Sequence, residues 1–338
     1  VATPRELLTD YLDNPAPTAE ETRAVFGHVS EGEYSDIQIA ALLATLRTRG
    51  ETADDIYGAT TAFLDAARPF PATGEGLLDT AGTGGDRLNT INITTGASLV
   101  AAALGARVVK SGNRSVSSKS GSADLLESLG LPIALDPDRA FEQFERTGFA
   151  FLFAPAYHPA VAHVQPVRAE LKLPTIFNVL GPLLSPARPQ FQAMGVADRK
   201  KAPLVAAALK GLGRDHALVI HGSGSDEVAT WGPTDIWELD GGEVAHRVVE
   251  PAELGIAEHP VESLVGGSPE DNARALEETL AGRGEPAHRD AIAASAGALL
   301  YTARLADSLN AGTGRALDAL ADGTVANWLV NARGEGRG

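Results

Sequence analysis

Near Leu77 the chain changes character once, and that change limits its architecture more than any other feature. Before it, the pattern is helical only. Arg5 to Leu12 carries apolar side chains at helical spacing. Thr18-Ala-Glu-Glu21 is a capping-box pattern ahead of Ala24, Val25 and Val29, and Ser35-Asp-Ile-Gln38 repeats it at the head of Ile37 to Leu46, which ends at Gly50. Thr52-Ala-Asp-Asp55 opens a further helix towards Arg68, and Pro69 and Pro71 then break the pattern. After Leu77, short apolar runs alternate with helix-period segments. Leu77-Leu78-Asp79, Val108-Val109, Phe151 to Phe153 and Ala217 to Ile220 read as strands. Ile236 to Leu239 and Val244 to Val249 read as a polar-faced hairpin. Asn92 to Leu104, Ala123 to Leu129, Arg139 to Arg146, Asn272 to Leu280, Asp290 to Leu305 and Arg315 to Leu320 read as helices. Such alternation implies a mainly parallel sheet with helices on both faces. The 338 residues suit about two domains, or one large α/β unit with a small appendage.

Composition removes several classes of chemistry. There is no cysteine, which rules out disulfides, thiolate catalysis and cysteine-held metal clusters. No apolar run reaches the roughly 18 residues of a membrane span, and the start, Val1 to Asp13, lacks the pattern of a secretory signal. These features lead to an expectation of a cytoplasmic protein with no membrane partner. The 28 Lys and Arg against 44 Asp and Glu give a net charge of -16, which disfavours a nucleic-acid partner. The same field repels a small polyanionic substrate unless amide dipoles, a few cations or metal ions receive it.

Four stretches carry chemistry. Asp79-Thr-Ala-Gly82-Thr-Gly84-Gly85-Asp86 follows a strand, and its glycines let the backbone approach a ligand and aim N–H groups at it. It matches neither the Walker loop nor the dinucleotide fingerprint, and a plain tight turn is an equal reading. Asn92-Ile-Thr94-Thr95 opens a helix, where hydroxyls and free amides make an anion site; plain N-capping is the simpler account of it. Lys110-Ser-Gly-Asn-Arg-Ser-Val-Ser-Ser-Lys-Ser-Gly-Ser-Ala-Asp124 packs glycines, hydroxyls and three cations between a strand and a helix. The three together favour a phosphate site over three unrelated turns. Asp226-Glu227, after the strand ending at Ile220, suits Mg²⁺ beside a polyphosphate, although adjacent carboxylates on a loop are usually just solvated.

These stretches occur in order with His158-Pro159, Pro166-Val-Arg168 and Phe177-Asn-Val-Leu-Gly-Pro-Leu183, and the whole closely resembles the anthranilate phosphoribosyltransferase family from the N-terminal helices to about Leu329. The resemblance implies a small all-helical domain, residues 1–72 with a returning segment at about 165–190. It also implies a large α/β domain, 73–164 and 191–332, of nucleoside phosphorylase-like type, and a tail at 333–338 that reads as disordered. It implies transfer of a 5-phosphoribosyl group from phosphoribosyl pyrophosphate to the amino nitrogen of anthranilate, with Mg²⁺, in a homodimer joined through the helical domain. By matching positions, Gly82, Gly84, Gly85, Asp86, Thr90, Asn92, Thr94, Thr95, Lys110 and Ser122 would bind phosphoribosyl pyrophosphate. Thr94, Asp226 and Glu227 would hold the metal. Gly82, Ser111, Asn113, His158 and Arg168 would form the anthranilate site, with Asn113 and Arg168 positioning the acceptor and no residue assigned as acid or base.

Two positions depart from the family pattern, and both fall on the acceptor side. Ser111 stands where relatives carry histidine, and Val161 where they usually carry methionine or tyrosine. Three accounts stay open: anthranilate is still the acceptor, the pocket has widened for another aromatic acid or amine, or Ser111 is an engineered change. A pyrimidine nucleoside phosphorylase is a further reading, since Lys110-Ser111-Gly112 faintly echoes its motif, but Asn113 intervenes before Arg114. A nucleic-acid binder of this fold is opposed by the charge. His163 and His221 read as packing or surface histidines, and Trp231 and Trp237 as packing.

Overall fold

The computed structural model describes residues 2–72, 74–114 and 121–333. Ser115 to Ser120, with Lys119 among them, and the tail from Gly334 lie outside the described residues. The chain begins with α1 (Pro4–Asp13), α2 (Ala19–Ser30), α3 (Asp36–Arg49) and α4 (Ala53–Asp65). Each starts at a hydroxyl cap, Thr3, Thr18, Ser35 or Thr52, whose side chain accepts from the third helical amide. The third residue reaches back to the cap amide, so two orphan donors are satisfied at each start. A buried carboxylate ties the unit together. Asp55 accepts from Tyr11 Oη at 2.6 Å and from Arg49 Nη2 at 2.8 Å, joining α1, α3 and α4. Helix α4 stops three residues short of the expected Arg68, because the Arg68 amide donates to the Tyr157 carbonyl instead of continuing the helix.

The second unit is a seven-stranded sheet in the order β3-β2-β1-β4-β5-β6-β7. Its strands are β1 (Gly74–Gly82), β2 (Arg107–Gly112), β3 (Phe149–Phe153), β4 (Pro189–Gly195), β5 (His216–Gly222), β6 (Thr234–Asp240) and β7 (Glu243–Val249). The first five are parallel, and β6 and β7 form the expected antiparallel hairpin. Burial alternates with period two. Leu78, Val108, Phe149, Leu218 and Ile236 enter one apolar cluster, while Leu77, Val109, Met194, Val219 and Trp237 face the other side.

The intervening helices are α5 (Ile93–Ala103), α6 (Ser122–Ser128), α7 (Pro137–Thr147), the single turn α8 (Ala154–Tyr157), α9 (Gln165–Leu171), α10 (Phe177–Leu183) and α11 (Ala202–Gly211). The last four are α12 (Pro269–Leu280), α13 (Pro286–Thr302), α14 (Leu309–Ala321) and α15 (Thr324–Ala332). One face of the sheet is covered by α5, α6 and α12 to α15. The other carries α7 at one end, and α11 with the helical unit at the other. Between β3 and β4 the chain crosses to the helical unit, where α9 packs on α3 and α10 on α4. The Phe177 ring sits 5.2 Å from Phe63 and 6.2 Å from Phe26, centre to centre. Among the described residues, no helix is long and apolar enough to cross a membrane. The fold is a small helical N-terminal domain joined to a larger α/β domain with a mostly parallel sheet.

Strand β4, at the centre of the sheet, escapes the sequence reading. Pro189-Gln-Phe-Gln-Ala-Met-Gly195 lacks the apolar run of a buried parallel strand. Gln192 is nonetheless fully buried, donating to the Pro182 carbonyl at 2.7 Å and accepting from Arg214 Nε at 2.9 Å. Both partners are remote in sequence, so nothing local marks the strand.

Candidate active site

Strands β1 and β4 are neighbours, yet the chain leaves β1 towards β2 and β3 and leaves β4 towards β5. Such a reversal opens a crevice beyond the carboxyl ends of the strands. The glycine loop after β1 and the loop after β5 meet there. The Gly84 amide donates to Asp226 Oδ2 at 2.7 Å. A Cβ on Gly82 would lie 2.1 Å from Asp226 Oδ2, and one on Gly195 would lie 1.7 Å from the Asp226 carbonyl oxygen. Glycine is therefore required at both positions by close approach. At Gly84 and Gly85 the reason differs: φ is +65° and +87°, and open space surrounds both. Asp86 turns back to accept from the Leu88 amide at 3.1 Å.

The start of α5 forms the second wall. Thr94 Oγ1 lies 2.8 and 2.7 Å from the two Glu227 carboxylate oxygens, and the Thr94 amide donates to the same carboxylate at 3.3 Å. Plain N-capping by Asn92 fails, since its side chain caps no amide of α5. Its Oδ1 accepts from Asn272 Nδ2 at 3.1 Å instead. Thr90 bridges to Val265, and the Ile91 amide donates to the Leu264 carbonyl at 2.8 Å, so a segment some 175 residues downstream holds the loop. Thr95 is buried at the foot of the helix.

Burial pushes the Asp226 and Glu227 carboxyls well above the ordinary carboxylate range, and the charge on Asp226 pushes Glu227 further. Lys110 lies beneath them. It is 4% exposed, its Nζ donates to the Thr80 carbonyl at 3.0 Å, and burial pulls its pKa down against the opposing pull of Asp79, Glu227 and Asp226. Fully buried Asp79 accepts from the Ser111 amide at 3.2 Å. Asp226, Glu227 and Thr94 offer a hard, all-oxygen donor set. Mg²⁺ fits it, because that ion takes one or two protein carboxylates and completes its shell with water and substrate oxygens. Two clusters with more ligand types, His28-Glu31-Glu33 and His216-Glu238-Asp240, lie elsewhere. In the second, His216 already bonds to the Thr302 carbonyl and to Glu238.

On the other side of the crevice is a cavity of about 570 Å³ between the sheet and the segment leading to α10. Gly82, Ser111, Asn113, His158 and Arg168, the whole expected acceptor set, line it, as does Val161. Arg168 projects from α9 with Cζ 5.4 Å from the centre of the Phe177 ring. No carboxylate among the described residues pairs with this guanidinium, so its fork is available to a ligand anion. His158 is 7% exposed, and burial lowers its imidazole pKa, leaving a neutral ring. The Ser111 Oγ and His158 Nδ1 are buried without a hydrogen-bond partner.

The helical bundle domain of a glycosyl transferase family matches residues 5–67, and the a/b domain of that family matches residues 74–326. An anthranilate phosphoribosyltransferase of Corynebacterium diphtheriae is 58% identical over 323 residues, 96% of this chain and 95% of the relative. The enzyme of that name from Corynebacterium glutamicum is 60% identical over 326 residues, 96% of this chain and 94% of its own length. The chain belongs to the anthranilate phosphoribosyltransferases. The solved Thermus thermophilus member superposes with a TM-score of 0.92 at 39% identity, covering 97% of this chain and 98% of that one. A Saccharomyces cerevisiae member, solved in complex with phosphoribosyl pyrophosphate and Mg, gives 0.84 at 25% identity, covering 96% and 97%.

Two of the three cations of the third stretch lie within the described residues. Arg114 is ion-paired with Asp124 at 3.0 Å and Glu127 at 2.8 Å, and Lys110 is buried. Ser122 opens α6, with its Oγ 3.4 Å from the Asn113 carbonyl. His221 is structural, its Nδ1 lying 2.8 Å from the Val196 carbonyl. The ring of Trp237 stacks on His246, and the indole N–H of Trp231 donates to the Ser223 carbonyl at 3.3 Å. Sequence reasoning missed Gly195 and Asn272. Gly195 ends the unread β4, and Asn272 sits among the acidic residues of an ordinary helix start.

Proposed function

We propose that the chain transfers the 5-phosphoribosyl group of phosphoribosyl pyrophosphate to the amino nitrogen of anthranilate, a step of tryptophan biosynthesis. The observation that carries this reading is one crevice with a half-buried carboxylate pair beside a glycine loop and, across from it, a guanidinium that no carboxylate among the described residues pairs with. The C1′–O bond to pyrophosphate breaks and the electron pair leaves with pyrophosphate. The amine nitrogen forms the new C1′–N bond and releases its proton to solvent. The Gly85 amide and the Ser122 hydroxyl would bind the phosphoribosyl pyrophosphate oxygens, with Gly84 and Thr94 fixing the carboxylates beside them. Arg168 would fork onto the acceptor carboxylate and Asn113 would orient the amine, so that positioning rather than acid–base chemistry lowers the barrier. Mg²⁺ held by Asp226, Glu227 and Thr94 would neutralise charge on the leaving pyrophosphate and admit a polyanion to an acidic protein.

The family's architecture extends the reading. Residues of about 165–190 belong with the helical domain, as the packing of α9 on α3 and of Phe177 on Phe63 supports. A homodimer would join through that domain, where Ile37 on α3 is 82% exposed. The enzyme would work in the cytoplasm. One observation favours a second acceptor: Ser111, a small side chain, lines the acceptor cavity, so an aromatic acid or amine bulkier than anthranilate could be received there. The test mixes protein, Mg²⁺, phosphoribosyl pyrophosphate and anthranilate and follows the loss of anthranilate fluorescence, with a chelator control. Chelator-sensitive consumption supports the proposal. Intact anthranilate, with phosphoribosyl pyrophosphate still bound, would sink it and send the search to substituted aromatic acids.

A further inference from the structure

We infer that Asn272 is a positioning residue for phosphoribosyl pyrophosphate: it fixes the side-chain amide of Asn92 so that the substrate meets the NH₂ group and not the carbonyl. The inference rests on the reading of the crevice as the phosphoribosyl pyrophosphate site. Asn92 is half-buried at the head of α5, two residues before the Thr94 that bonds Glu227. Asn272 lies in the first turn of α12 and is 4% exposed. A buried amide needs partners for both its oxygen and its NH₂ group. Asn272 finds both outside its own helix. Its Oδ1 accepts from the Gly267 amide at 2.7 Å, and its Nδ2 donates to Asn92 Oδ1 at 3.1 Å.

These two bonds leave one assignment of both amides. A backbone N–H only donates, so the Asn272 atom that faces Gly267 is the oxygen. The atom that faces Asn92 is then the NH₂ group, which also only donates. The Asn92 atom that receives it is the carbonyl oxygen, and the other end of the Asn92 amide is a donor. The Gly267 amide is itself held in place, because residues 89–91 and 264–266 run side by side. The Gly266 amide donates to the Asn89 carbonyl at 2.7 Å, Thr90 bridges to Val265, and the Ile91 amide donates to the Leu264 carbonyl at 2.8 Å. A Cβ on Gly266 would lie 2.8 Å from Asn272 Oδ1 and 3.1 Å from the Thr90 carbonyl oxygen, so these groups are packed without room to spare. Ionised phosphate oxygens accept hydrogen bonds, and a carbonyl turned to them repels. An asparagine without this relay presents either edge. With it, Asn92 presents the edge that suits the anion before the substrate arrives.

The test reads substrate affinity rather than turnover. Binding of phosphoribosyl pyrophosphate with Mg²⁺ is measured by titration calorimetry on the full chain, for the wild type, Asn272→Asp, Asn92→Ala and the double variant. Asn272→Asp keeps an acceptor for the Gly267 amide but offers Asn92 only oxygen, so the Asn92 amide must turn over. The expected result is about tenfold weaker binding in Asn272→Asp, a loss at least as large in Asn92→Ala, and no further loss when Asn272→Asp is added to Asn92→Ala. Equal losses from Asn272→Asp in both backgrounds would mean an effect of charge or folding that bypasses Asn92, and would overturn the inference. Wild-type affinity in Asn272→Asp or in Asn92→Ala overturns it too. A neutron crystal structure of the wild type checks the assignment without any variant. It should show deuterons on the Asn272 atom that faces Asn92, and deuterons on the facing Asn92 atom instead would overturn the inference. A wild type that binds no phosphoribosyl pyrophosphate is a failure of the reading of the crevice itself, and the inference falls with it.

Discussion

On the phosphate side of the crevice, Asp226 is packed so closely between Gly82 and Gly195 that neither position has room for a Cβ. Gly84 and Thr94 fix the two carboxylates by short hydrogen bonds. On the acceptor side, Arg168 stands on a seven-residue helix against one aromatic ring, and among the described residues no group bonds to the buried Ser111 Oγ or His158 Nδ1. One wall is over-determined by backbone contact, and the other is left to be completed by its ligand. The difference follows from the chemistry. Pyrophosphate and metal need donors at fixed positions, where a 1 Å error is costly. An aromatic acceptor needs a shaped cavity with one charged anchor, and such a cavity tolerates substitution.

The comparison is broken most severely at its rigid wall. Gly195→Ala should displace Asp226 and lower kcat/KM by about 10²–10³-fold, with metal binding weakened in parallel. An effect on kcat/KM of only a few-fold would show that the wall yields. Arg168→Ala should come next. Loss of a charged hydrogen bond is worth about 1.5–3 kcal/mol, so the acceptor KM should rise roughly 10- to 100-fold while the KM for phosphoribosyl pyrophosphate holds. Equal rises in both KM values would remove Arg168 from the acceptor site.

A smaller effect concerns pH. The buried carboxyls of Asp226 and Glu227 are raised above their unfolded values, so the native protein binds more protons than the unfolded chain. Metal-free protein should therefore lose stability as pH rises from about 5 towards 8, and Mg²⁺ with phosphoribosyl pyrophosphate should offset that loss. Unfolding temperatures across that range, with and without the pair, check the sign. A metal-free protein that gains stability over this interval would contradict it. The smallest change is expected from Ser111→His, which should raise anthranilate turnover a few-fold. No gain would mean that the cavity has adjusted around the serine at other positions such as Val161.

How legible each wall was follows from the distance over which it is built. The glycine loop, Asn92 to Thr95 and Asp226-Glu227 are each short local runs, so their chemistry can be read within a few residues. The partners of those runs cannot. Asn272 reaches Asn92, and the Leu264 carbonyl receives the Ile91 amide. Asn92 itself illustrates the limit: its type and place predict a cap, yet it bonds sideways to another helix. Arg114 is similar, since nothing local in its loop shows that Asp124 and Glu127 of α6 pair with it.

The sequence by itself determined the order of the two units, the caps that start α1 to α4, every strand but β4 and the glycine, hydroxyl and acidic runs that meet at the crevice. These depend on side-chain periodicity and on hydroxyl, glycine and proline chemistry that acts within one turn. Only the tertiary structure decided that β4 lies between β1 and β5, that Lys110 sits beneath the crevice, and that α9 and α10 cross to the helical unit to bring Arg168 to the cavity. Each of those outcomes is set by partners more than ten residues away, where burial and hydrogen bonding override what the local pattern prefers.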